Sequence, residues 1–199
     1  MGMAKSQVVR IFLDAAEAAY SAHVDDPQGQ ASVTQIFGEL RAPLIPRDTA
    51  PGRLAACSYL EDVSRPSGFS EGPLRDLIEA FRRLEPSLAW YPRSGDTTNA
   101  NDAYKDGHAN AMIVGPGGLV PHQSVWLGVS LLAPGVRYPD HTHPPEETYL
   151  VLSEGDFFQD GRGWFTPGIG GTFYNPPGIL HAMRSGKTPL FAMWALKAR

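Results

Sequence analysis

The chain has 199 residues, a formal net charge of −4 and a single cysteine, Cys57. A chain of this length supports one domain with a sizeable core, burying roughly 70% of the surface its unfolded form exposes, so no disulfide is needed. Cys57 has no partner for an internal disulfide and reads as a small buried apolar residue. The acidic balance argues against a nucleic-acid partner, because phosphate binding requires a basic face. No apolar run is long enough to span a bilayer. The opening MGMAKSQVVRIFLDAAEAAY is an amphipathic pattern broken by Asp14 and Glu17 rather than a signal peptide, and the expected location is the cytoplasm.

The first hundred or so residues carry helical periodicity. Val9, Phe12, Leu13, Ala16 and Tyr20 form one stripe. Val33, Ile36, Phe37 and Leu40 form a second, where Ser32 and Gln35 suggest a capping box. Leu74, Leu77, Ile78, Phe81, Leu84 and Leu88 form a third, with Ser70 as the expected N-cap and Pro73 in the first turn. All three read as core-facing. Polar, proline-rich connectors separate them over Arg41–Arg53 and Tyr91–Asp106. The second is long enough for a binding loop or lid, and His108 at its end reads as a solvated loop histidine.

From about Ala111 the period changes. AMIVGP, SVWLGVSLLAP, ETYLVLSEG, GDFFQD, GWFTP, GTFYNPP, GILHAMRSG and PLFAMWALK are short apolar runs separated by Gly/Pro turns. This predicts a sandwich or barrel of antiparallel strands with the helices gathered beside it. The expected division is a helical region over 1–108 and a barrel over 109–199, forming one compact unit.

Two clusters carry the chemistry. In the first, Gly135 precedes His141-Thr142-His143, with Glu147 following and Gly155 closing. In the second, Gly170 precedes Pro176, Gly178 and His181. On a strand, residues i and i+2 share a face, so His141 and His143 can converge, and Glu147, Tyr149 and Val151 share one face of their own run. His181, on another strand after the turn NPPG, is placed to complete a site. Three imidazoles and a carboxylate suit one divalent ion of the iron, manganese, nickel, cobalt or zinc type. Taken singly, each residue has an ordinary structural reading, and it is their joint occurrence that points to a metal.

The two clusters resemble the paired cupin motifs, G(X)5HXH(X)3-4E(X)6G and G(X)5PXG(X)2H(X)3N. Here Gly155 falls one residue late, and Ser185 stands at the final Asn position. The stretches YPDHTHPPEETYLVLSEG and WFTPGIGGTFYNPPGILHAMRSG look like the Q-type dimethylsulfoniopropionate (DMSP) lyases. That resemblance implies a mainly β fold, a C-terminal double-stranded β-helix (jelly-roll barrel) with a helical region packed beside it. It also implies cleavage of DMSP to dimethyl sulfide and acrylate. The family's ligands carry over to His143, Glu147 and His181, with His141 at the other motif position, ligating or beside the ion. The catalytic tyrosine carries over to Tyr149 and a second active-site tyrosine to Tyr138.

The implied reaction is a β-elimination with a tyrosine as base. Trp126, Tyr138, Tyr174 and Trp194 are the candidate substrate contacts, with Trp164 and Phe173 also in or near barrel strands. Aromatic faces attract a sulfonium cation by about 0.5 to 2 kcal/mol each. The expected partner is the small-molecule substrate, with a homodimer allowed. Two rivals remain open at this point: a metal-dependent dioxygenase and a non-catalytic small-molecule-binding cupin.

Overall fold

The computed structural model describes residues 3–198. The helices come first: α1 (Lys5–His23), α2 (Pro27–Leu40), α3 (Leu60–Val63), α4 (Pro73–Leu84) and α5 (Tyr104–Gly107). The strands follow: β1 (His108–Val114), β2 (Val125–Leu132), β3 (Glu146–Val151), β4 (Asp156–Gln159), β5 (Gly163–Phe165), β6 (Thr172–Asn175), β7 (His181–Arg184) and β8 (Leu190–Lys197). Among the described residues no helix is long and apolar enough to cross a membrane.

The apolar stripes lie where periodicity put them. Val9, Phe12, Leu13, Ala16 and Tyr20 of α1 are buried, as are Val33, Ile36, Phe37 and Leu40 of α2. The helix starts differ from expectation. Helix α2 begins at Asp26, whose carboxylate accepts from the Gly29 amide at 2.8 Å, with Pro27 at the first helical position. Ser32 therefore sits inside the helix, buried with its hydroxyl unpartnered, and no capping box forms at Ser32 and Gln35. Helix α4 starts after Gly72 rather than Ser70 and has no side-chain cap.

The strands form a five-stranded sheet in the order β1-β2-β8-β3-β6 and a three-stranded sheet in the order β5-β4-β7, with antiparallel pairing throughout. Together they enclose a jelly-roll barrel of the cupin type. The larger sheet is buried on both faces, and alternation sorts its side chains. Ala109, Ala111, Leu127, Val129, Leu150, Phe191 and Met193 point outward and join the helices in one core. Tyr149, Val151, Phe173, Ala192 and Trp194 point inward and share a second core with Phe157 and Met183 of the smaller sheet.

Phe191 ties the two layers together, its ring 5.1 Å from that of Phe81 on α4. Replacing fully buried Phe191 with alanine is expected to destabilise the protein by about 3–5 kcal/mol, through lost transfer energy and a residual cavity. Urea unfolding measures it, and a loss below about 1 kcal/mol would mean that the helical layer does not lean on this ring.

Candidate metal centre and active-site cavity

The two motif stretches meet through backbone hydrogen bonds. His141 and His181 form an antiparallel bridge in which each amide donates to the other's carbonyl at 3.0 Å. Tyr138 N donates to Met183 O at 2.9 Å, and Gly178 N donates to His143 O at 3.0 Å. Gly178 has φ +76°, a left-handed conformation that glycine adopts without a Cβ penalty, so the NPPG turn docks directly on the His-Thr-His segment. The connector over 91–106 adds further ties. Asn101 donates to Gly135 O at 2.7 Å, Asn99 donates to the Asp140 carboxylate at 2.7 Å, and Asp140 N donates to Thr98 O at 3.0 Å.

This arrangement gathers His141, His143 and His181 so that their ligand nitrogens all lie within 4.8 Å of one another. Glu147 Oε2 lies 3.3 Å from Nε2 of both His143 and His181. Each imidazole is tethered at its other nitrogen: Nδ1 donates to Pro139 O in His141 (2.9 Å), to Pro145 O in His143 (2.8 Å) and to Ile179 O in His181 (3.0 Å). A carbonyl only accepts, so each Nδ1 carries a proton and Nε2 is the atom each ring turns to the cluster, that of His143 lying in hydrogen-bond contact with Glu147 Oε2 at 3.3 Å. Tethering of this kind is how metal-binding histidines are oriented. His181 Nε2 is buried with no hydrogen-bond partner, because Glu147 lies outside hydrogen-bond geometry. Three Nε2 atoms converging beside a carboxylate form a donor set that a positive charge in their midst, a proton or a metal ion, would stabilise. The donor set therefore fits a divalent transition ion, and the three imidazoles could hold one.

A cavity of about 280 Å³ opens at this cluster, lined by His141, His143, Glu147, Tyr138, Tyr149, Trp126 and Trp194 among others. That volume is at the small end for ligand pockets and suits a small molecule. A sequence model of the dimethylsulfoniopropionate lyase family matches residues 28–192.

The chain belongs to the DMSP lyase family. It is 27% identical over 158 residues to the dimethylsulfoniopropionate lyase DddQ of Ruegeria pomeroyi, covering 79% of this chain and 77% of that one. In structure it is similar to a chain from the crystal structures of the DMSP lyases RdDddP and RnDddQII, with TM-score 0.74, 22% identity, and 98% and 94% of the two chains covered. It is similar also to the crystal structure of the Ruegeria pomeroyi DMSP lyase DddQ, with TM-score 0.69, 22% identity, and 94% and 91% covered. At these identities the structural likeness establishes the shared fold.

The surroundings set the electrostatics of this family member's site. Burial opposes ionisation of the Glu147 carboxyl, yet the His143 and His181 imidazoles outweigh it and hold its pKa well below the usual carboxylate range. Burial, followed by the neighbouring His181, pushes His141 down to about 3, which keeps it neutral and available as a ligand. For His143 burial works downward, but the hydrogen bond to Glu147 and the charge of that carboxylate prevail and raise it. Asn175 donates to Glu147 Oε2 at 3.0 Å, and Gln159 in turn donates to Asn175 Oδ1 at 2.7 Å. The DMSP lyase resemblance named neither of these two amides. Buried polar residues inside short apolar strands, in GTFYN and GDFFQ, were the available signal.

The remaining expected site residues divide. Tyr149 stacks on Phe173, with ring centroids 4.9 Å apart, and faces the cavity beside Glu147. Tyr138 lies against His141, with ring centroids 5.3 Å apart. Trp126 and Trp194 line the cavity. Tyr174 does not: it alternates with Phe173 and Asn175, faces outward, and donates from its hydroxyl to Glu146 at 2.6 Å. Trp164 packs under Arg184, whose guanidinium lies 4.3 Å from the ring centre, and is also outside the cavity. His108 is not a solvated loop residue. It begins β1, is 3% exposed, donates to Tyr104 O at 2.5 Å and accepts from Arg93 N at 2.9 Å.

A His181→Ala variant is expected to lose most bound divalent metal after loading and desalting, measured by elemental analysis, with an unchanged far-ultraviolet circular dichroism spectrum. Retention of a full equivalent would show that the imidazoles do not share an ion.

Proposed function

We propose that this chain cleaves dimethylsulfoniopropionate to dimethyl sulfide and acrylate by metal-assisted β-elimination, with Tyr149 as base. The supporting observation is that two phenols, Tyr149 and Tyr138, line the same small cavity as the imidazole and carboxylate groups. Membership of the DMSP lyase family and the name of the DddQ relative supply the substrate.

In this reading His141, His143, Glu147 and His181 hold the ion, and Asn175 orients the Glu147 carboxylate. A divalent cation bound there would act as a Lewis acid toward the substrate carboxylate and favour ionisation of a neighbouring phenol. Burial, then the Glu147 charge, pushes the Tyr149 phenol well above its ordinary range, so the side chain needs that cationic neighbour to serve as a base. Tyr149 takes the proton from the carbon next to the carboxylate. The electron pair of that C–H bond becomes the new C=C bond of acrylate. The C–S bond breaks, and sulfur leaves with its pair as neutral dimethyl sulfide. Tyr138 orients the substrate or assists the proton transfer. The faces of Trp126 and Trp194 contribute to sulfonium binding. The helical region over 1–108 and the barrel over 109–199 act as one unit, because the cavity wall is the inner face of a sheet whose outer face the helices cover.

Anaerobic incubation of metal-loaded protein with DMSP should release dimethyl sulfide into the headspace and an equal amount of acrylate. An oxygen requirement would instead indicate a dioxygenase, and binding without product a carrier. Tyr149→Phe should lower kcat by at least about a hundredfold while metal content is retained. Near-normal turnover in that variant would exclude Tyr149 as the base.

A further inference from the structure

One wall of the cavity carries a continuous chain of side-chain hydrogen bonds that the elimination reading leaves unused. Trp194 Nε1 donates to Ser130 Oγ at 3.0 Å, Ser130 Oγ donates to Asn110 Oδ1 at 2.6 Å, and Asn110 Nδ2 donates to Tyr138 Oη at 3.1 Å. We propose that Asn110 is a positioning residue that holds the Tyr138 phenol with its own O–H turned into the cavity, and that Ser130 and Trp194 fix the amide orientation that makes this so. The proposal rests on Tyr138 being an active-site tyrosine.

The polarity of the chain follows from its first member. An indole N–H only donates, so Ser130 Oγ accepts there and spends its own proton on the Asn110 carbonyl oxygen. The amide must then present its NH2 group to Tyr138, whose oxygen accepts. Because that oxygen accepts from Asn110, the phenol's own proton is left to point away from the amide, and the side chain lines the cavity. The ring itself has little freedom. Tyr104 meets it edge-on at 5.4 Å and 90°, and His108 at 5.8 Å and 84°. Asn110 and Ser130 are 5% and 3% exposed, so water does not compete for these bonds.

Strand register builds the chain. Asn110 and Ser130 are direct cross-strand partners on β1 and β2. Trp194 of β8 pairs with Gly128, two residues before Ser130 on β2, which makes Trp194 the diagonal neighbour of Ser130. A Cβ on residue 128 would lie 2.3 Å from the indole, so glycine there is what lets the ring cross the strand and reach the serine.

The decisive variant is Asn110→Asp, which keeps the shape but turns a donor toward Tyr138 into an acceptor. It is expected to lower kcat by about tenfold to a hundredfold with KM and metal content unchanged. Ser130→Ala and Trp194→Phe, which release the amide without adding a charge, should act in the same direction and more weakly. Ser130→Thr, which keeps the hydroxyl, should recover most of the rate. In a Tyr138→Phe background, Asn110→Asp should cost nothing further, because both changes remove the same effect. A rise in KM at unchanged kcat would make Asn110 a substrate contact, and a full additional loss in the Tyr138→Phe background would make it merely structural. Either outcome overturns the proposal. A second readout is independent of turnover. In protein labelled with carbon-13 at the tyrosine Cζ, the resonance absent from Tyr138→Phe should move in both Asn110→Asp and Ser130→Ala, and a stationary signal would refute the chain. If the wild-type protein released no dimethyl sulfide, the elimination reading would fall, while this resonance would still decide the hydrogen-bond chain.

Discussion

The site depends on one backbone contact, the pair of reciprocal hydrogen bonds between His141 and His181. These residues are forty positions apart in the chain, and neither lies within the same regular strand as the other's motif. Pairing their amides and carbonyls puts their imidazole centroids 4.1 Å apart. The bridge continues on one side through Tyr138 to Met183 and on the other through His143 to Gly178. A carboxylate and a phenol on β3 then approach from the neighbouring sheet. The donor atoms are thus placed by peptide groups, which do not change rotamer, and side-chain conformational freedom enters only at the last step.

A second constraint is the double burial of the five-stranded sheet. A sheet with one wet face leaves half its positions free for polar residues, whereas here the outward residues belong to the helical core and the inward ones to the barrel. Any polar group facing inward has to find a partner or face the cavity. Glu147, Asn110, Ser130 and Asn175 do so, and each takes part in a hydrogen bond with another side chain. The polar content of the barrel interior is concentrated on that account in the region where the imidazoles gather.

Much of this was legible in the sequence because it rests on short-range periodicity. The switch from a period of 3.6 to a period of 2, read at about Ala111, falls inside the first strand, which starts three residues earlier at His108, and each of the eight apolar runs overlaps a strand. Spacing allowed His141 and His143 to converge, although neither lies in a regular strand, and the turn before His181 marked the second stretch. The start of α2 was misread because Ser32 resembles a cap while Asp26-Pro27 is the real one. Gly29 weakens the helical signal between them, and it is tolerated where the helix packs closely against Val24 and Thr148. Tyr174 was misassigned because an aromatic residue in a strand reads the same on either face until the register with Thr148 is known. Asn110 and Ser130 were invisible for a related reason. Neither has a motif, and their relation exists only in the cross-strand pairing.

The position of β8 has a bearing on how the chain is made. It lies at the centre of the larger sheet, between β2 and β3, yet it follows every other described strand in the chain. Until it arrives, β2 and β3 have no partner between them, and Phe81 of α4 lacks the ring it packs against. Helices α1 and α4 can pack on each other early, but the face of α4 that carries Phe81 stays uncovered until β8 is made. Such a non-local topology, with the central strand made after both of its neighbours, favours comparatively slow folding and leaves strand edges open to aggregation until β8 is in place.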